Sequence, residues 1–337
     1  MSPTVSRRTV LCGTGGLAAA AILRRPANAA EFAYKFAAVL PPEHPMMIRC
    51  TEAAAKLKEQ SGGRLDITIY PNSALGADTA MLAQCVSGAV EMYALQGDLL
   101  APREPAAGIV GVGFAFPSYN EAWPAIDGEL GDFVRAQAEK SNMMCLKRAY
   151  DHGFRQITSR NKPINSPADL KGFKIRLPVA PMPISLFKHL GAAPTAINFS
   201  EVYSALQTGV VDGQENPLVI IDATKLYEVQ KYCALTNHEW ACYHVAFNMD
   251  AWKRLPQNLR DMTEQVFDAA ALQQRQDWVT TNKTLMATLK GKGLTFTQPD
   301  MAPFRAELSK TGFYPEVKAK MGDQAWALLE KYVGKLA

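Results

Sequence analysis

Two arginines and an asparagine offer the most concentrated chemistry in this chain. Arg155 stands in Phe154-Arg155-Gln156-Ile157-Thr158-Ser159 and Arg176 in Phe173-Lys174-Ile175-Arg176-Leu177-Pro178, each at the edge of an apolar, strand-like run. Asn216 closes Val210-Val211-Asp212-Gly213-Gln214-Glu215-Asn216-Pro217, where a helical pattern ends in an Asn-Pro turn. A guanidinium presents a planar fork of N–H donors that matches a carboxylate with two hydrogen bonds and never loses its charge. Two such forks plus an amide describe a pocket for a small organic anion. Each residue also has an ordinary reading. Arg176 can pair with a neighbouring carboxylate, Arg155 lies in a polar neighbourhood with Gln156 and Arg160, and Asn216 can simply shape a turn.

Other chemistries are poorly represented. There is no Gly-x-Ser-x-Gly elbow, phosphate-binding loop or His-Glu-x-x-His, and Gly108, Gly111 and Gly113 have the wrong spacing for a dinucleotide turn. The five histidines are scattered, so neither a metal nor a cofactor is expected. Cys50, Cys85, Cys145, Cys233 and Cys242 are odd in number and widely spread, with no Cys-x-x-Cys, which excludes a disulfide framework and favours buried apolar roles. Cys233 and Cys242 flank a strand-turn-strand pattern, and their pairing is left open.

The first 29 residues read as an export signal rather than as part of the fold. Arg7-Arg8 precedes a short apolar run to Leu23, and Ala27-Asn28-Ala29 supplies a small-x-small cleavage site before Ala30. The arginine pair and the diluting Gly13, Gly15 and Gly16 point to the twin-arginine route. The run is too short and glycine-rich for a permanent span. Leu11 before Cys12 argues against a lipoprotein anchor. The formal charge is +4, and Arg7, Arg8, Arg24 and Arg25 account for all of it, leaving 32 basic residues against 32 acidic. A neutral mature chain gives no reason to expect nucleic acid binding. A monomeric exported protein, not embedded in a membrane, is the expectation.

Positioning the arginines requires a framework, and the hydrophobic pattern supplies one. Strands are predicted at 34–40, 65–70, 90–95, 143–150, 154–158, 173–177 and 231–235; helices at 46–60, 77–87, 182–190, 199–207, 303–309 and 324–333. Strands separated by helices indicate a parallel α/β sheet, and the length suggests two cores. The chain is expected to pass between them near 151–153 and again near 237–244. Residues 257–289 form one helical pattern without internal proline or glycine, longer than one small core needs, so it is expected to bridge both. In open α/β sheets ligands sit beyond the carboxyl ends of strands. Arg176, just before Pro178, occupies such an end.

Several segments closely resemble one family. They are Gly62-Gly63-Arg64-Leu65, Tyr70-Pro71-Asn72-Ser73-Ala74-Leu75-Gly76, the two arginine stretches, and the run from Asn198-Phe199-Ser200-Glu201-Val202-Tyr203 through Gln214-Glu215-Asn216-Pro217. The family is the dicarboxylate-type substrate-binding proteins of tripartite ATP-independent periplasmic (TRAP) transporters, and the likeness runs in order from about residue 32 to the C-terminus. It implies that Arg176 forms the principal salt bridge to a ligand carboxylate, that Arg155 assists, and that Asn216 also contacts it. It further implies a type II periplasmic binding fold, with residues 31–152 plus 242–281 as one lobe and 153–241 plus 282–337 as the other. The implied function is capture of a small organic acid in the periplasm and delivery to the transporter's membrane permease subunits.

The opposite wall of such a cleft is expected from loops at strand ends. Gln96 and Asp98 are candidates, since members that recognise acidic sugars tend to place a polar or acidic residue near Gln96. Asp98 reads equally well as an acceptor for ligand hydroxyls or as a turn residue. His44, in Pro41-Pro42-Glu43-His44-Pro45, suits a turn or a hydrogen bond to ligand better than a metal site. Trp240 either walls the ligand or takes the commoner place of tryptophan in a core. Two rivals share the arginine chemistry: an exported enzyme acting on an acidic substrate, and a ligand-sensing subunit for a membrane sensor kinase.

Overall fold

The computed structural model describes residues 30–336, so the expected export signal at 1–29 lies outside the described residues. The strands are β1 (Phe32–Ala37), β2 (Leu65–Tyr70), β3 (Met92–Leu95), β4 (Met143–Cys145), β5 (Tyr150–Phe154), β6 (Gln156–Ser159), β7 (Lys174–Leu177), β8 (Ala193–Ala196), β9 (Gly213–Asn216), β10 (Tyr232–Ala234), β11 (Trp240–Asn248) and β12 (Thr295–Thr297). They form two sheets. One is ordered β2-β1-β3-β11-β4 with β5 also on β11; the other is β12-β10-β6-β9-β7-β8.

Both sheets are mixed, where the sequence pattern indicated parallel ones. β1 runs parallel to β2 and β3, and β7 parallel to β8 and β9. β11 is antiparallel to β3, β4 and β5, and β6 is antiparallel to β9 and β10. The reversal has a topological cause. β11 enters the first sheet from β10 of the second, not through a helical crossover that would force a parallel return. All nine residues of β11 are buried, because its two halves are flanked by β5 and by β3 with β4.

The chain passes between the sheets at two adjacent places. Arg155 alone separates β5 from β6, and its amide donates to the Glu239 carbonyl just before β11 (2.8 Å). The predicted strands at 143–150 and 154–158 are thus resolved into three, with the arginine at the junction. Gly153 sits beside it at φ +101°, and a β-carbon there would lie 2.6 Å from the Trp278 ring. Only glycine meets both conditions.

Helices cover the sheets. Pro45–Gln60 starts with proline in its first turn, where the missing N–H costs nothing, and His44 Nδ1 accepts from the Met46 amide (3.1 Å). The long helix is present as Gln257–Gly291, about 52 Å at 1.5 Å per residue. Its Val266, Phe267 and Trp278 belong to the core of the first sheet, while Leu289 belongs to a cluster with Val202, Leu206 and Cys233. One helix therefore contributes to both cores. Gln274 of that helix donates to the Asp151 carbonyl (2.9 Å) and accepts from its amide (2.8 Å), satisfying the β5 backbone. A further core joins Ile109, Phe114, Phe116 and Val134 to Ile157, Ile175 and the C-terminal helices. All five described cysteines are buried and free, Cys233 and Cys242 included. No described helix is long and apolar enough to cross a membrane.

Candidate functional site

Arg176, Arg155, Asn216 and Gln96 line one cavity between the two sheets, with Asp78, His152, Phe199 and Tyr243. The strands explain the convergence. Gln96 follows β3 and Arg176 lies near the end of β7, both at carboxyl ends of parallel strands, while Asn216 ends β9. The cavity is small, about 30 Å³, roughly the share of one water molecule. A larger groove of about 500 Å³, holding Lys171, Lys188 and Lys310, is lined by neither arginine.

Arg176 is 1% exposed, and Ile175 and Leu177 on either side of it in β7 are fully buried. Nε donates to the Ile197 carbonyl (2.9 Å), and the guanidinium lies 5.8 Å from the centre of the Phe199 ring. Among the described residues no carboxylate forms a salt bridge with it. Burial lowers its pKa to about 10, the loss of hydration outweighing the more distant Glu215 and Asp78 carboxylates. A charge held in this way favours an arriving anion.

Arg155 is differently placed. Its Nε and Nη2 engage both oxygens of Glu215, the latter at 2.8 Å, and Nη2 also donates to the Glu215 carbonyl (3.0 Å) and to Asn216 Oδ1 (3.2 Å). Glu215 is fully buried. Burial works to raise its pKa, but Arg155 and His238 outweigh it and hold the carboxyl at about 2. Asn216 Nδ2 donates to Gln214 Oε1 (2.6 Å), which fixes the amide's orientation. Arg155 and Asn216 thus form a rigid, already neutralised floor, and Arg176 carries the unpaired charge.

On the other side, Gln96 Nε2 donates to Asp98 Oδ2 (3.3 Å). Burial, then the nearby Asp98 charge, pushes the Glu239 carboxyl well above the usual carboxylate range. Gly108 and Gly111 make room for the Asp98 carboxylate; a β-carbon at Gly111 would collide with it. Asp98, buried, faces a second cavity of about 20 Å³, which it shares with Gln96 and Trp240. Trp240 packs edge-to-face on Phe116 and Trp123, and its Nε1 donates to Asp151 Oδ1 (3.2 Å). His44 caps its helix and lies 5.7 Å, ring centre to centre, from His152. Neither Trp240, Asp98 nor His44 lines the arginine cavity.

Sequence reasoning did not single out Glu215, Asp78 or Tyr243 in this constellation. Glu215 carried a signal, because two arginines converging on one cleft require a nearby counter-charge. The Glu239–Asp98 contact joins residues 141 positions apart and leaves no local trace. Among the described residues no cluster of His, Cys, Asp and Glu is arranged to hold a metal ion.

Comparison with known proteins agrees with this architecture. Residues 36–312 match the family described as bacterial extracellular solute-binding protein, family 7. The sialic acid-binding periplasmic protein of Vibrio cholerae serotype O1 is 33% identical over 80% of this chain and 83% of its own. The C4-dicarboxylate-binding periplasmic protein of Rhodobacter capsulatus is 34% identical over 76% and 77%. The crystal structure of a TRAP periplasmic solute binding protein from Pseudomonas putida F1, with bound D-glucuronate, superposes with a TM-score of 0.82 at 26% identity, covering 88% of this chain and 96% of that one. The two-sheet architecture is the type II periplasmic binding fold.

Proposed function

The chain belongs to the bacterial extracellular solute-binding proteins of family 7, and from that premise we propose that it carries a small organic acid to a TRAP transporter. The observation that carries the proposal is the Arg176 guanidinium, buried on the cavity between the sheets and forming no salt bridge among the described residues. Sialic acid, a C4-dicarboxylate and D-glucuronate, the molecules associated with the three relatives, have a carboxylate in common. Arg176 is the principal clamp, with Arg155 and Asn216 in support.

The site binds and does no chemistry. Arg155 and Glu215 neutralise one another, the buried His152 and His238 are held neutral, and no nucleophile is paired with a base on the cavity. Entry of a four-carbon acid into so small a space requires the two sheets to part. We assign residues 31–152 plus 242–281 to one lobe and 153–241 plus 282–337 to the other, with the hinge at the paired crossings of Arg155 and Glu239. Closure wins when the carboxylate completes hydrogen bonds that neither lobe supplies alone. Delivery is to membrane permease subunits, in the periplasm, after twin-arginine export and removal of residues 1–29.

A thermal-shift screen of organic acids tests the reading, because a ligand that binds only the native state raises the midpoint by mass action, about 2.7 kcal/mol at 100 times its Kd. The expected result is a saturable rise with at least one acid, recovered unchanged after incubation. No rise with any acid, or recovery of a transformed acid, contradicts it.

A further inference from the structure

The cavity contains two arginines but balances only one arriving charge. Arg155 is engaged by both oxygens of Glu215. Asp98, buried and accepting from Gln96 Nε2, lies outside the cavity lining and brings no cation to it. The Asp78 carboxylate lies at the cavity edge, accepting from the Phe199 amide (3.1 Å). Among the described residues lining the cavity, Arg176 is therefore the cation that no side chain pairs, and it can balance one arriving carboxylate.

The rest of the lining is polar and uncharged. Gln96 presents an amide and Tyr243 a hydroxyl, and His152, 2% exposed, has a ring Nδ1 with no hydrogen-bond partner. Burial, reinforced by Arg155, keeps His152 neutral. None of these groups can neutralise a second carboxylate, whose burial without a counter-charge is costly. Each can both donate to and accept from a hydroxyl or pair with one in a single sense.

We infer that the site selects a monocarboxylic acid bearing hydroxyl groups, and discriminates against both the diacid and the hydroxyl-free acid of the same carbon skeleton. The carboxylate takes Arg176, and the hydroxyls face Gln96, His152 and Tyr243. This rests on the carrier reading above.

Calorimetry on the wild-type mature protein tests it with three matched series: D-gluconate, D-glucarate and hexanoate; D-threonate, D-tartrate and butyrate; L-lactate, tartronate and propionate. In every series that binds, the hydroxylated monoacid should bind at least tenfold more tightly than the diacid and the hydroxyl-free acid. A diacid or a hydroxyl-free acid within tenfold of its partner overturns this inference while leaving the carrier reading intact. Absence of binding in all three series, together with no hit among other organic acids, overturns the carrier reading and this inference with it. Replacement His152→Phe should then cost the hydroxylated acid at least tenfold and the hydroxyl-free acid less than threefold; equal losses for both assign the imidazole a packing role and refute its part.

Discussion

Replacing Glu215 by glutamine should cost the fold about 3 kcal/mol at neutral pH, a figure reached by two routes. Glu215 is fully buried, and both its oxygens are taken by Arg155, with His238 Nε2 3.3 Å from one of them. Breaking a buried pair by removing one partner costs roughly 3–5 kcal/mol, because the remaining charge is left uncompensated. Independently, burial would raise this carboxyl, but Arg155 and His238 hold it at about 2 instead of 4.5. That difference corresponds to about 3 kcal/mol. The sign follows from the direction of the shift. A depressed folded-state pKa gives stability that is fully present above the unfolded value and is lost as pH falls from about 4.5 towards 2. Urea denaturation followed by circular dichroism at pH 7 and pH 3 measures both features. The variant should be less stable by about 3 kcal/mol at pH 7, and the gap should narrow by more than half at pH 3. A gap below about 1 kcal/mol at pH 7, or one that does not narrow, would refute the view that Glu215 is the counter-ion on which the buried Arg155 depends.

Three further outcomes follow from particular residues. Gly153→Ala should destabilise by at least about 2 kcal/mol, since a positive φ is costly for alanine and the new β-carbon collides with Trp278; an unchanged urea midpoint contradicts the tight packing of the crossing. Asp151 is pushed up to about 7 by burial, against the opposing effect of the Tyr119 and Trp240 donors. A raised acid loses native stability as pH rises from its unfolded value near 4 to about 7, so Asp151→Asn should remove roughly 4 kcal/mol of that decline; parallel wild-type and variant profiles between pH 5 and pH 8 count against it. Exchange of both Arg7 and Arg8 for lysine should leave unprocessed precursor in the cytoplasm, because the twin-arginine machinery reads that pair, whereas normal processing places the protein on the general secretory route.

The parts legible in the sequence were those written in local pattern. The 3.6-residue periodicity of the long helix, the strand ended by Pro178 and the glycines after the first helix all appear where expected. The motifs brought Arg155, Arg176 and Asn216 to one cavity, with Gln96 opposite. What escaped depends on contacts between distant segments. Trp-Ala-Cys-Tyr-His-Val-Ala-Phe-Asn, residues 240–248, is a nearly continuous apolar run whose first half falls in the expected crossing near 237–244, yet it is one strand that pairs with β3, β4 and β5 and sets the antiparallel half of the first sheet. Whether Trp240 faces a ligand or a core depends on Phe116, Trp123 and Asp151, none of them near in sequence. The role of Asp98 likewise depends on Glu239. Residue type told what each side chain could do, and the long-range partner decided which of those things it does.

The central claim is that the Arg176 guanidinium is the anion clamp. Isothermal calorimetry of the cognate acid against wild type, Arg176→Ala and Arg176→Lys tests it most directly, with circular dichroism confirming that each variant is folded. Loss of one partner from a buried, hydrogen-bonded charge pair costs roughly 2–5 kcal/mol, or on the order of 30-fold to several-thousand-fold in affinity. Arg176→Ala should fall in that range, and Arg176→Lys should also bind weakly because a point charge cannot reproduce the fork. Arg155→Ala and Asn216→Ala should cost less affinity. Binding by Arg176→Ala within about threefold of wild type, a difference of roughly 0.6 kcal/mol, would place the carboxylate clamp elsewhere and contradict the account.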